Sequence, residues 1–330
     1  MSISGRTGFA RVVVCDDRST RRSSEGSRVS IVEAEAVEVQ LEAPSGLWRD
    51  AFHLLIRNPG AIVGFVFVGV FVFAAIFAPL IATHDVTEQN LPLIANGCCP
   101  GPSGDHWFGV DLLGRDVFSR IVYGARVSLL IGLVSVSIGL AIGLVLGAMA
   151  GYVGGIVDSS IMRVMDVMLA VPGLLLAIGI VAALGPGVKE VMIAVGLANV
   201  PIFARLVRSS ILVQRDADYV VAAKASGIRR PSILFAQILP NAISPVIVTA
   251  TLAMATAIID VAGLGFLGIG LQDPDETPEW GSMLTEVNEY LQTAPFLALI
   301  PGTAIVISVL GFNLIGDGLR EALDPKLRGR

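Results

Sequence analysis

Long uncharged apolar runs alternate along this chain with short stretches where charge collects. The run at 61–82 has 22 residues without a charge, about 33 Å of helix at 1.5 Å per residue, against a bilayer hydrocarbon core of about 30 Å. It is predicted to cross a membrane unaided. The same reading predicts spans at 127–150, at 167–184 with Pro172-Gly173 near its start, and at 191–207, interrupted by Pro201 and Arg205. Two more follow: 242–264 with the lone Asp260, and 294–315 with Pro301-Gly302 inside it. An arginine at the end of a span, such as Arg205, can reach back to the headgroups. Just before the second span, "LLGRDVFSRIVYGARV" sets Leu113, Val117, Ile121 and Val122 opposite Arg115, Asp116, Ser119 and Arg120, the pattern of a helix lying in the interface.

Composition agrees with a chain that faces lipid. Hydrophobic residues make up 54% and charged residues 15%, and mean hydropathy is +0.75, more than the surface of a water-soluble domain of this length tolerates. The net charge of -5 decides little, because in membrane proteins the distribution of Lys and Arg between loops carries the information. With Arg205 counted in the loop it borders, 19 of the 23 basic residues fall on the side that holds both termini and 4 on the other. Cationic loops stay in the cytoplasm, so both ends are expected inside and the fold class is an all-α membrane protein of six spans.

Residues 1–46 differ from the rest. "RSTRRSSEGSR" and "EAEAVEVQLEA" mix Arg, Ser and Glu without a core pattern, which suits a disordered cytoplasmic extension ahead of a permease domain at 47–330. No apolar run follows the early arginines until Ala61, so the first span is expected to remain in the mature protein.

The spans also hint at packing. Ser135, Gly139, Gly143 and Gly147 recur every four residues, a stripe along which another helix backbone can approach closely; a pore lining that needs room is the second reading. Pro172, Pro201, Pro245 and Pro301 are sites where a missing amide permits a kink. Charge inside the spans is nearly absent, which argues against an ion-coupled carrier. Asp260 stands near the outer mouth and is expected to be an interfacial carboxylate bonded to neighbouring helix amides. Energy for any transport must come from elsewhere.

The chain does not carry that source itself. A phosphate-cradling G-x-x-x-x-G-K-[ST] loop needs lysine after glycine, whereas Lys189, Lys224 and Lys326 follow Val, Ala and Pro. His53, His84 and His106 are scattered without metal-ligand spacing, and no catalytic constellation stands out, so neither a metal site nor an enzyme is expected. Three cysteines are too few for a disulfide scaffold. The adjacent Cys98 and Cys99 can form a vicinal disulfide or remain two thiols, a local structural role being favoured over metal binding.

The cytoplasmic stretch 208–241 is the most distinctive. In "DYVVAAKASGIRR" Asp216 or Asp218 can cap a short helix and Gly227 can end it through a left-handed turn. A second short helix can start near Pro231. With Ala222 and Ala223 presenting little bulk, the two make a knob able to fit a cleft in another protein; an ordinary amphipathic loop is the plainer reading.

Ala222, Ala223 and Gly227, followed by Leu239, Pro240 and Asn241, resemble the "EAA" loop of ABC-importer permeases, with Val221 where that family has glutamate. "HWFGVDLLGRDVFSRIVYGARVSL", "GFLGIGLQDPDETPEWGSML", "GFNLIGDGLREALDPKLRG" and "RNPGAIVGFVF" narrow the resemblance to the C-type subunit of the dipeptide/oligopeptide/nickel permease family, from about Leu47 onward. The resemblance implies an ABC type I importer permease fold in a prokaryotic plasma membrane. It implies that Asp218, Tyr219, Ala222, Ala223, Gly227, Leu239 and Pro240 couple to an ATP-binding subunit. It further implies a heterodimer with a homologous permease, two ATPase subunits that bind ATP and Mg, an extracellular substrate-binding protein, and no cofactor or nucleic acid on this chain. Short peptides are the implied substrate, with nickel chelates or glutathione as alternatives; an ATP-independent channel is the reading from a different class. The acidic stretch "LQDPDETPEW" is expected either to touch the binding protein or simply to be solvated.

Overall fold

The computed structural model describes residues 47–95, 97–270, 277–287 and 290–323. The extension expected at 1–46, residues 271–276 of the acidic loop and the tail beyond 323 lie outside them. Among the described residues all regular elements are helical, with one isolated bridge between Val110 and Asp116.

Helix α1 (Leu47–Leu55) leads into α2 (Pro59–Ile76), where Asn58 accepts the Ala61 amide at 3.1 Å and Pro59 takes the first turn, where its missing N–H costs nothing. The run expected at 61–82 breaks at Phe77, and a single turn, α3 (Ala78–Ile81), follows. Among its described residues the next connection holds only the turn α4 (Leu91–Ile94) as a helix before α5 (Val117–Val153). After α5 come α6 (Gly155–Leu169) and α7 (Gly173–Leu184), then α8 (Val188–Arg215). Two short helices, α9 (Asp218–Ala225) and α10 (Arg230–Ile233), precede a π turn at Leu234–Ile238 and the long α11 (Leu239–Phe266). The chain closes with α12 (Trp280–Glu286) and α13 (Phe296–Leu323). Five of these helices are long and apolar enough to cross a membrane, six if α6 and α7 count as one span.

That third span is bent by 92°. The cause is local: Pro172 has no amide to donate and its ring keeps Val171 out of helical geometry, so α6 ends before it and α7 starts anew. Pro201 instead sits buried within an uninterrupted α8.

The helix at 113–122 expected in the interface is not built. From Val117 those residues are the first turns of α5, and Arg115 and Arg120 are 1% and 0% exposed. Asp111 explains why. Its carboxylate accepts the Leu113 and Arg115 amides at 2.9 Å each and the Arg115 Nε at 2.5 Å, and lies 3.6 Å from Arg120 Nε. Burying a charge is costly unless it is paired and hydrogen-bonded, and here opposite charges are buried together.

The stripe on α5 is a helix contact. A Cβ on Gly139 would stand 2.8 Å from the Gly196 carbonyl, on Gly143 2.5 Å from Phe203 Cβ, and on Gly147 2.8 Å from Val207 Cβ. Positions rise together along both chains, so α5 and α8 lie parallel with their backbones nearly touching. An antiparallel pair forms where Gly64 of α2 meets Gly311 of α13.

At the N-terminal end of α5, α12 wedges against α5 and α11. Trp280 is fully buried and donates its Nε1 to the Ile121 carbonyl at 3.1 Å. Glu279 caps α12 by accepting the Gly281 and Ser282 amides at 2.8 and 2.9 Å and the Ser128 hydroxyl at 3.2 Å. Burial pushes this carboxyl upward, against the opposing pull of those three donors. Asp260 differs from its expectation: it is half-buried in α11, and among the described residues no helix amide bonds to it.

Candidate coupling surface

At the opposite end of α5 the chain leaves the bundle. Arg215 closes α8 and donates to the Gly151 carbonyl at 3.3 Å, anchoring the loop to the C-terminal end of α5. The expected caps are not used. Ala217 occupies the N-cap of α9 without a side-chain bond, Asp216 caps the C-terminus of α8, and Asp218 lies in the first turn of α9, where its charge still favours the positive end of the helix.

The end of α9 is made by Gly227. Its amide bonds the Lys224 carbonyl at 3.1 Å, the Ile228 amide bonds the Ala223 carbonyl at 3.2 Å, and its φ is +74°. This pair of bonds around a left-handed residue is the Schellman arrangement, cheap only for glycine. A second helix does begin by Pro231: α10 starts at Arg230, whose carbonyl accepts the Tyr152 hydroxyl at 2.8 Å.

Two faces result. Val220 and Ala223 are buried and share a core with Val207, Ile211, Ile233 and Ile238, so Ala223 supports the knob from beneath. Asp218, Tyr219, Ala222 and Gly227 are exposed, and Tyr219 donates its hydroxyl to Gln214 Oε1 at 2.7 Å. Leu239 and Pro240 stand apart from this group, opening α11 beyond the π turn, where they set the direction in which the loop re-enters the bundle. Val221, which stands in place of the family's glutamate, is 55% exposed, and sequence reading missed Ile228 and Phe235, which are 39% and 66% exposed. Their signal was available as apolar residues in a charged loop. The same loop exposes Lys224, Arg229 and Arg230, so it offers apolar and basic side chains together, the residue types of a protein-docking surface.

The histidines also depart from expectation. The fold brings His84 and His106 together beside Asp116, although the three are far apart in sequence. Cys98 and Cys99 are joined by a vicinal disulfide.

A bundle of five to six membrane-crossing helices that exposes two short helices between two of them has the form of a membrane permease. The comparisons make the class specific. Residues 143–329 match the model of the binding-protein-dependent transport system inner membrane component, and residues 46–96 match the N-terminal transmembrane domain of oligopeptide transport permease C. The chain belongs to this family of importer permeases. It is 50% identical over 281 residues to the dipeptide transport system permease protein DppC of Alkalihalophilus pseudofirmus, covering 85% of this chain and 90% of that one. It is 44% identical to the di/tripeptide permease DppC of Pseudomonas aeruginosa, covering 89% and 97%. It is 47% identical to the glutathione permease GsiD of Salmonella typhimurium, covering 86% and 91%. Among solved structures, the inward-facing MetNI methionine ABC transporter matches with a TM-score of 0.53 at 18% identity, over 62% of this chain and 96% of that one, a likeness of fold alone.

Proposed function

We propose that this permease subunit carries short peptides into the cell, pairs with a second homologous permease, and is driven by two ATP-binding subunits that dock on the α9–Gly227–α10 knob. ATP and Mg are held by those subunits, and an extracellular binding protein delivers the substrate. Both termini face the cytoplasm in this reading, in keeping with the uneven split of basic residues. The observation that carries it is the knob: two short helices joined at Gly227, exposing apolar and basic side chains on a buried base continuous with α8 and α11. ATP-driven closure of the partner subunits pulls the knob, and the spans anchored to it tilt to open a central cavity outward. Hydrolysis resets the arrangement.

Gly227→Leu tests the assignment. A Cβ there would meet no atom within 4 Å, so the added side chain projects into the space a partner occupies, at a backbone cost of about 1–2 kcal/mol for the left-handed residue. In vesicles holding the whole complex, ATP hydrolysis should continue while peptide uptake falls. Gly227→Asn, which tolerates that backbone, should retain more of the coupling. Unchanged uptake in the leucine variant overturns the assignment. The glutathione relative motivates a second substrate reading, separated by competing labelled dipeptide against glutathione in the same vesicles. A channel acting alone would purify without ATP-binding partners.

A further inference from the structure

Three side chains of the long connection after α3 converge at the head of α5. Asp116 is the N-cap of α5; its Oδ2 accepts the Ser119 amide at 2.8 Å and the Thr83 hydroxyl at 3.2 Å, while Oδ1 faces His106 Nδ1 at 2.9 Å and His84 Nδ1 at 3.9 Å. The two imidazole rings lie 4.5 Å apart, inclined by 30°. One ligand atom from each of the three residues falls within 4.8 Å of the others. Their supports are fixed: the Ser119 hydroxyl accepts the Thr83 and His84 amides at 3.1 and 3.0 Å, holding the first histidine against the helix.

We infer that His84, His106 and Asp116 form a binding site for a divalent transition metal of the zinc type. Two imidazole nitrogens and one carboxylate oxygen are a donor set suited to such an ion. Ligands 2.0–2.1 Å from a tetrahedral centre stand about 3.3 Å from one another, between the two distances observed here. The Asp116 side chain is fully buried, while His84 and His106 are 35% and 16% exposed, so the carboxylate is held from within and the remaining coordination position opens to solvent. Asp116 Oδ2, bonded to Ser119 and Thr83, supplies the orienting contacts that metal ligands ordinarily need. The bound ion ties the turn after α3, the loop around His106 and the first turn of α5 into one unit, at the end of the bundle away from the knob.

The test uses the permease purified with its partners, stripped with chelator, then titrated with Zn²⁺ alone by calorimetry and with Co²⁺ alone by absorption. The expected result is one Zn²⁺ per chain of this subunit, a tetrahedral Co²⁺ spectrum, and affinity lowered by at least about 100-fold in His84→Ala and in His106→Ala. His84 is half-exposed and its loss leaves the cap of α5 intact, so that variant stays informative if His106→Ala fails to fold. Binding that persists unchanged in His84→Ala, or no binding by the unaltered protein, overturns the assignment. The peptide-uptake reading stands or falls separately, because uptake is not the readout.

Discussion

A single methyl group placed in the α5–α8 seam should destabilise this protein, although the same change usually stabilises a helix. In Gly143→Ala the new Cβ would lie 2.5 Å from Phe203 Cβ and 3.0 Å from both the Ala204 amide nitrogen and the Val200 carbonyl oxygen. Ordinary carbon contacts lie at about 3.5–4.0 Å, so the helices must part by roughly 1 Å, and all pairs along the seam lose attraction together. Overpacking of this kind costs about 1–3 kcal/mol. Alanine gains about 1 kcal/mol of helix propensity over glycine, which blurs the reading of one variant alone. Gly69→Ala removes the ambiguity: Gly69 is also within a helix, α2, and its Cβ would meet nothing within 4 Å. The propensity term is common to both, so Gly143→Ala should be the less stable by about 1–3 kcal/mol. Unfolding in mixed detergent micelles, followed by tryptophan fluorescence, measures the difference. Agreement between the two variants within about 0.5 kcal/mol would refute a backbone-to-backbone seam.

Other outcomes follow from the same geometry. Glu279→Ala should loosen α12 by about 1–3 kcal/mol, because two buried amides lose their acceptor; protease sensitivity after residue 279 would report it, and an unaltered digestion pattern would exclude the cap as a support. Because burial raises the Glu279 carboxyl in the folded state, its neutral form is favoured: the stabilising contribution is complete below the usual value of 4.5 and is lost as pH rises through the shifted value. Glu279→Gln should flatten that part of the stability profile. In a Cys15→Ser background, Cys98 and Cys99 should resist maleimide until reduced, and on whole cells a membrane-impermeant reductant should be sufficient; labelling without reduction counts against the bond.

Five spans were legible from apolar length alone because a bilayer imposes that length on each crossing, and the sixth, expected at 167–184, is the bent pair α6–α7. Small residues at four-residue spacing marked the seam, since their stripe has few uses besides close helix approach. Gly227 was legible for a local reason: the turn it makes is decided by its own φ and by bonds within five residues. The failures share the opposite character. Arg115 and Arg120 read as a polar interfacial face because a non-helical turn at 111–115, which helical periodicity does not describe, folds the Asp111 carboxylate onto both. His84 and His106 read as isolated because no helix or strand register joins them; only the folding of the connection onto the head of α5 does. The 92° bend falls at Pro172-Gly173, a pair visible in the sequence, but a proline alone does not announce a bend, since α8 runs unbroken through Pro201.

The division of the core limits how force at the knob can travel. Val220 and Ala223 beneath it belong to one cluster with Val207 and Ile211 of α8, Ala242 and Val246 of α11 and Ile131 of α5. Helix α2 and α13 draw mainly on separate clusters, one around Trp280 and Leu297 and one around Ala51, Leu55 and Ala322, although α13 also presses on α11 where Gly316 meets Leu252. Close-packed interiors transmit displacement through contacts and yield where contacts are sparse. In the coupling proposed above, a pull on α9 would reach α8, the α5 pressed against it through glycine, and α11 first, since these share its core. Helix α5 is about 55 Å long at 1.5 Å per residue, and it runs from beside the knob to the end where Asp116, His84 and His106 meet. A metal bound there would stiffen the far end of the same lever, which joins the two sites through one continuous helix and its seam.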